Sequence, residues 1–211
     1  MKNRFKIIVA SFLLLAGAGG AYAQSKDFLE TLYSKMSTSV AEAVYTYVTE
    51  TSGVKVTGHH ELELQSDLWH MKGNGLEIWC DGQTVWTTDP VAKEVIIEPA
   101  AQNEAGELVN PALIFTRLND WFDVKEKREL PQSKSVLYIL RPKPEMNINV
   151  EFLNVEIGTS DGMIRKGSFA LEDGASVNID FISMAMKPKK PVSYYRPSQS
   201  FDASWIVTDL R

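Results

Sequence analysis

Cysteine is almost absent: Cys80 is the single thiol among 211 residues, so no internal disulfide can form and stability has to come from burial. Histidine is nearly as scarce, with His59, His60 and His70 the three imidazoles. Adjacent residues of a strand face opposite ways, which keeps His59 and His60 from converging on one metal ion. No Gly-x-Ser-x-Gly element occurs, so a serine nucleophile lacks the strained turn that would expose it. The aspartates with the look of acid or base groups, Asp81, Asp89, Asp161 and Asp173, each sit beside Gly or Pro, where turn geometry already accounts for them. The expectation is therefore no enzyme, no metal and no cofactor.

Long apolar runs are missing too, except at the N-terminus. There Lys2, Arg4 and Lys6 precede Ile7–Ala18, followed by Ala21-Tyr22-Ala23. This pattern is that of a secretory signal peptide cleaved after Ala23, and the run is short for a membrane span, the alternative reading. The mature chain is expected to be exported. Removing residues 1–23 takes away three cations and no acid, moving the net charge from −5 to −8. An acidic mature chain argues against nucleic acid and anionic membrane surfaces as partners. No repeat, low-complexity tract or Pro/Ser-rich linker divides residues 24–211, which read as one domain and as a monomer.

What is present is strand pattern. Gly75–Pro99 reads GLEIWCDGQTVWTTDPVAKEVIIEP, three short strands with Asp81-Gly82 and Asp89-Pro90 at the turns. Alternation puts Trp79 opposite Ile78 and Cys80, and Trp86 opposite Val85, so an apolar layer or cavity is required on each side of this meander. Cys80 beside Trp79 reads as a small packed hydrophobe rather than a reactive thiol.

Ahead of the meander, Ser25 can cap a helix whose stripe is Phe28, Leu29, Leu32, Tyr33 and Met36. Strands follow at Val40–Glu50, His60–Gln65 and Leu68–Met71. The stretch Ala100–Val109 reads as a loop, and Asn110 then caps a short apolar helix through Phe122 with Pro111 in its first turn. Four further antiparallel strands are expected at Ser135–Arg141, Ile148–Ile157, Met163–Leu171 and Ser176–Met184. One face of the last three carries Ile148, Val150 and Phe152, then Phe169 and Leu171, then Val177, Ile179 and Phe181. The other carries Asn147, Asn149, Glu151, Lys166, Ser168, Asn178 and Asp180. Pro188, Pro191 and Pro197 keep the stretch around Tyr194 and Tyr195 out of a central strand, and Phe201–Asp209 returns to an edge. Fold class is thus mainly β (α+β), a curved sheet with one polar and one apolar face.

The turn Asp81-Gly82-Gln83-Thr84-Val85-Trp86, then Asp89-Pro90 and Lys93-Glu94-Val95, the Asp161-Gly162 and Asp173-Gly174 hairpins and the closing Val207-Thr208-Asp209-Leu210 occur in an order that resembles the LolA family of periplasmic outer-membrane lipoprotein carriers. The resemblance covers the whole of residues 24–211. It implies an incomplete, strongly curved antiparallel β-barrel with helices covering its concave apolar face. It further implies that the hollow holds the acyl chains of lipoproteins, with an inner-membrane lipoprotein exporter and an outer-membrane acceptor as partners. Family members place an arginine in a basic, Pro-containing strand before the segment matching Gly75–Asp81. Gln65-Ser66-Asp67-Leu68-Trp69-His70-Met71-Lys72 has neither arginine nor proline, so nothing is carried over to it; His70 or Lys72 can supply a cation or simply be solvated.

Burying an acyl chain of about fifteen methylenes is worth on the order of 12 kcal/mol, and a carrier must offer matching apolar area. The residues expected to line the hollow are Ile114, Phe115, Leu118 and Phe122 of the short helix acting as lid, with Trp86, Ile148, Val150, Phe152, Phe169, Ile179 and Phe181 on the sheet. The alternative for the lid residues is an ordinary closed core. Lys187, Lys189 and Lys190 form a small basic patch, either solvated or a docking site for an acidic partner. Beside the carrier stands a periplasmic sensor or regulatory binding domain of the same architecture that detects lipid or lipoprotein; an exported hydrolase lacks a catalytic constellation.

Overall fold

Runs of alternating apolar and polar residues broken by short turns produce antiparallel neighbours, and nearly the whole chain is consumed this way. The computed structural model describes residues 27–100, 114, 117–172 and 174–211. Expectations for residues 1–23, Ser25, the loop 101–109, Asn110, Pro111, Phe115 and Asp173 lie outside the described residues. Helix α1 (Phe28–Thr38) leads into β1 (Val40–Thr51), β2 (Val54–Gln65), β3 (Leu68–Gly73), β4 (Leu76–Asp81), β5 (Thr84–Asp89) and β6 (Glu94–Pro99). A short helix α2 (Leu118–Trp121) precedes β7 (Phe122–Leu130), β8 (Ser135–Pro142), β9 (Phe152–Gly158), β10 (Ile164–Ala170), β11 (Ser176–Lys187) and β12 (Ile206–Asp209).

All twelve strands join one sheet in the order β12-β6-β5-β4-β3-β2-β1-β11-β10-β9-β8-β7. Every pairing is antiparallel except β12 on β6, which is parallel. The first and last strands of that order do not meet, so the sheet curls without closing. Register shifts at Val44/Tyr45, Ile164/Lys166 and Val124/Glu126 mark β-bulges, which bend and twist a sheet locally. The first of these leaves Ile182 on β11 as an unpaired, exposed extra residue.

Inside the curl lies α1. Its cap is Asp27, whose Oδ1 accepts from the amides of Leu29 and Glu30 at 2.9 and 3.3 Å. Tyr138 on β8 donates to the same carboxylate at 3.2 Å and accepts from the Phe28 amide at 3.2 Å. The cap of the described helix is thus Asp27. Leu29, Leu32 and Met36 bury against Ala41 and Tyr45 of β1, Leu62 and Leu64 of β2, and Val136, Tyr138, Val155 and Ile157 on the far half of the sheet. One cluster therefore runs across the whole concave face. Cys80 belongs to it, and burial pushes its thiol up to about 11.

The outer face of β3–β6 is sealed by the C-terminal segment. Pro191 leads into a 3-10 turn, Val192–Tyr195, that packs on β3 and β4. Tyr195 is fully buried, and on this side Trp79, Val95 and Ile97 are buried as well. Three polar ties hold the segment. Gln65 exchanges two hydrogen bonds with the Lys190 backbone at 2.8 and 3.0 Å. The Lys190 ammonium meets Glu63 at 2.8 Å and the Tyr194 ring at 4.1 Å. Arg196 donates to Asp81 at 2.7 Å. Burial raises the Asp81 carboxyl, but the amides of Thr84 and Gln83 and the Arg196 guanidinium together hold it below its ordinary range. The meander is covered on its outer side and over part of its inner side, and Lys190 of the basic patch is engaged by intramolecular partners.

Several sequence-level assignments shift. Strand β2 begins six residues before His60, and β7 occupies Phe122–Leu130, a run of alternating charges that carried no apolar signal. Strand β9 begins at Phe152 rather than Ile148. Only Gly82, not Asp81, takes positive φ in the first meander turn; Asp81 instead accepts from the Gln83 and Thr84 amides.

Leu32→Ala, at a site 1% exposed, is expected to lower unfolding free energy by about 2–5 kcal/mol in urea titration. The Cys80 thiol is expected to resist alkylation at pH 8 in the native protein and to react within minutes in denaturant, because its pKa falls back toward the ordinary value near 8.5 once burial is lost.

Candidate functional site

The concave face of β1–β6 is set by register. Ala41, Ala43, Tyr45 and Tyr47 of β1 stand opposite Leu64, Leu62, His60 and Gly58 of β2. Leu62 and Leu64 then meet Met71 and Trp69 of β3, which meet Ile78 and Cys80 of β4. On the other flank Ala41, Ala43 and Tyr45 meet Met186, Met184 and Phe181 of β11. This surface is apolar where α1 covers it.

Towards the β1–β2 and β3–β4 hairpin tips the cover ends. Leu76 and Ile96 share the concave side and are 39% and 41% exposed, and Val54 and Val56 at the end of β2 are more exposed still. Ile78, Val85, Tyr47 and Phe181 are half-buried against the core, as are Met184 and Met186. Methionine is flexible and polarizable, so the two sulfur side chains beside α1 can adapt to a changed neighbour at low cost.

Ile114 and the segment from Arg117 to Phe122 cross this face. Ile114 and Leu118 are 1% exposed and lie in the common core with α1. At one end the Arg117 guanidinium meets Asp67 of the β2–β3 turn at 2.7 Å. At the other the Trp121 carbonyl accepts from the Lys143 amide at 2.8 Å, and Phe122 pairs with Pro142. The segment therefore bridges the two halves of the curled sheet. Arg117 also lies 3.7 Å from Asp120, and both ion pairs are solvent-accessible, where such contacts are worth only about 0–1 kcal/mol.

The nominated lining residues divide. Ile114, Leu118, Ile148, Val150, Phe169 and Ile179 are brought together in the buried cluster, with Phe181 packed at its margin. Phe122 is in the cluster as well, but as the first residue of β7 rather than part of a helix. Phe115 lies outside the described residues. Trp86 and Phe152 belong to the outer face. Trp86 pairs with Trp79 and Ile97, on the side sealed by the C-terminal segment. Phe152 lies under the Arg141 guanidinium, 5.5 Å from its ring centroid, because Leu153, Val155 and Ile157 are the inward residues of β9. That phase is visible in the sequence as Leu-Asn-Val-Glu-Ile. Extending the strand back through Asn149 and Glu151, which are irregular here, inverted it.

His70 and Lys72 share a side, as regular register requires, but it is the outer side: both meet Glu77 at 2.8 Å. His70 also stacks on Trp79, 5.1 Å between centroids and 7° from parallel. Neither reaches the hollow. The cation at its rim is Arg117, contributed by the crossing segment, with Asp67 of the stretch Gln65–Lys72 as its partner.

No family model and no curated protein matches the chain. Among solved structures, an uncharacterized conserved protein from Thermus thermophilus aligns at 9% identity over 86% of this chain and 96% of its own, with TM-score 0.51. A LolA superfamily protein from Nitrosomonas europaea aligns at 10% identity over 82% and 99% of the two chains, TM-score 0.42. A DUF1329 family protein from Desulfovibrio piger aligns at 8% identity over 82% and 99%, TM-score 0.42. With an open, mostly antiparallel sheet curled around α1 and a short helical segment crossing its concave side, this chain shares its fold with the Thermus thermophilus protein.

Proposed function

We infer that the protein is an exported carrier that shelters the acyl chains of lipoproteins in the concave trough and moves them from the inner to the outer membrane. One observation carries this reading: the apolar concave face extends beyond what α1 and the crossing segment bury, leaving Val54, Val56, Leu76 and Ile96 open. An uncovered apolar strip on the inside of a curved sheet is costly in water unless a ligand covers it. The outer face carries no such strip over β3–β6, because Tyr195 and its neighbours close it.

Chain entry needs a cover that can yield. The crossing segment has a helix of four residues, and its described tie to the β2–β3 turn is the solvent-accessible Arg117–Asp67 pair, so lifting it costs little beyond re-exposing Ile114 and Leu118. Methionines at the margin then remould around the guest. Residues 1–23 supply the export signal in this reading, and the transfer involves no covalent step.

The test is binding of a fluorescent acyl probe to the purified mature chain. Wild type is expected to bind it. Leu76→Asp and Ile96→Asp, at exposed positions that leave the core intact, are expected to keep the wild-type Tm and to weaken the probe at least about tenfold. Wild-type affinity in both variants, or a wild type that takes up no probe, overturns the reading.

A further inference from the structure

Two strand glycines in the open part of the trough are each covered by an aromatic ring. Gly58 stands opposite Tyr47 and Gly73 opposite His60. A methyl group built on Gly58 would overlap the Tyr47 ring, and one on Gly73 would overlap the His60 imidazole and the His59 carbonyl. Absence of a side chain at both positions lets the rings lie down on the sheet instead of standing away from it. Their centroids are 5.0 Å apart with planes inclined at 34°, so they form a continuous shelf; Tyr45 meets His60 edge-on at 5.5 Å.

Packing alone asks only for rings, and phenylalanine would serve. These rings carry polar atoms, and their hydrogen bonds leave protons over. The Tyr45 hydroxyl lies 3.1 Å from His60 Nδ1 and 3.6 Å from the Met71 sulfur. An imidazole nitrogen is a far better acceptor than a thioether, so the hydroxyl proton goes to Nδ1 and the ring proton sits on Nε2. Burial, with His59 adding to it, depresses the His60 pKa and favours that neutral form. Tyr47 accepts at 2.8 Å from Asn74 Nδ2, which leaves its own O–H still to be donated. Two donors, the Tyr47 hydroxyl beside Asn74 and His60 Nε2–H on the row next to Leu62 and Met71, thus stand on the concave side. Among the described residues neither donates to a protein acceptor.

We propose that Tyr47 and His60 form a polar subsite in the trough that hydrogen-bonds the carbonyl oxygens of acyl esters, fixing the glyceride end of a bound lipid while its tails run on under the crossing segment. The assignment rests on the acyl-binding reading above and goes beyond it by naming the chemical class that is preferred. By register no lysine or arginine stands on the concave face of β1–β4, so a neutral ester suits the site and a free carboxylate finds no cation there. Water can satisfy the two donors before a lipid is bound. A carbonyl replaces it without loss, whereas a pure hydrocarbon strips the donors of partners.

Calorimetric titration with dioctanoylglycerol and with its diether analogue, which has the same tails and no carbonyl, tests this. The mature wild type is expected to bind the diester about threefold to tenfold more tightly than the diether. Tyr47→Phe, which keeps the ring over Gly58, and His60→Phe are each expected to shrink that preference by weakening the diester while the diether binds as tightly as before or more tightly. Equal affinity of wild type for the two lipids overturns the proposal, as does an undiminished preference in Tyr47→Phe. Should wild type bind neither lipid, the acyl-binding reading falls with it, whereas tight but indiscriminate binding overturns the subsite alone.

Discussion

Everything in this molecule depends on the docking of one helix into the curl of one sheet. A twelve-stranded, mostly antiparallel sheet with an apolar inner face cannot stand open to water, and it does not close on itself, since β7 and β12 remain apart. Helix α1 resolves this by filling the lower hollow with Leu29, Leu32 and Met36. The Asp27 carboxylate joins cap to wall, because it terminates the helix and holds Tyr138 of β8 at once. Charge on the exposed β7 edge and the bulge within it discourage pairing with another chain, so openness does not become aggregation.

The two faces are treated differently. Outside, the C-terminal segment covers the β3–β6 meander with Tyr195 and ties itself down through Lys190, Gln65 and Arg196. Several of these ties involve buried or half-buried partners, such as the Asp81 carboxylate at 3% side-chain exposure. Inside, the crossing segment is held by a solvent-accessible ion pair and by the burial of Ile114 and Leu118. Among the described residues one cover is tied by several half-buried polar contacts and the other chiefly by apolar burial. The aromatic shelf of Tyr47 and His60 lies between the filled core and the exposed end of β2.

Much of this was legible in residue order. The meander, its turns and its need for cover on both sides follow from Trp79, Cys80, Val85 and Trp86 alternating around Asp81-Gly82. The inward phase of β10 and β11, with Phe169, Val177, Ile179 and Phe181, was readable for the same reason. Phase was lost at Phe152, since irregular residues before β9 break the period of two that extrapolation assumes. Strand β7 was invisible because an edge strand rich in Lys, Glu and Arg has no apolar alternation to display. Trp86 was nominated for the hollow because two apolar faces look alike in sequence, and only the path of the C-terminal segment tells them apart.

By itself the sequence determined the strands, the turns and the amphipathic helix, because these depend on period, capping and backbone geometry within a few residues. Which face became a sealed core and which a partly open trough was decided by tertiary structure. That choice rests on contacts between residues more than a hundred positions apart, such as Tyr138 with Asp27 and Arg196 with Asp81. The shelf over Gly58 and Gly73 is of the same kind: a glycine in a strand looks like a weakness until register sets a ring across from it.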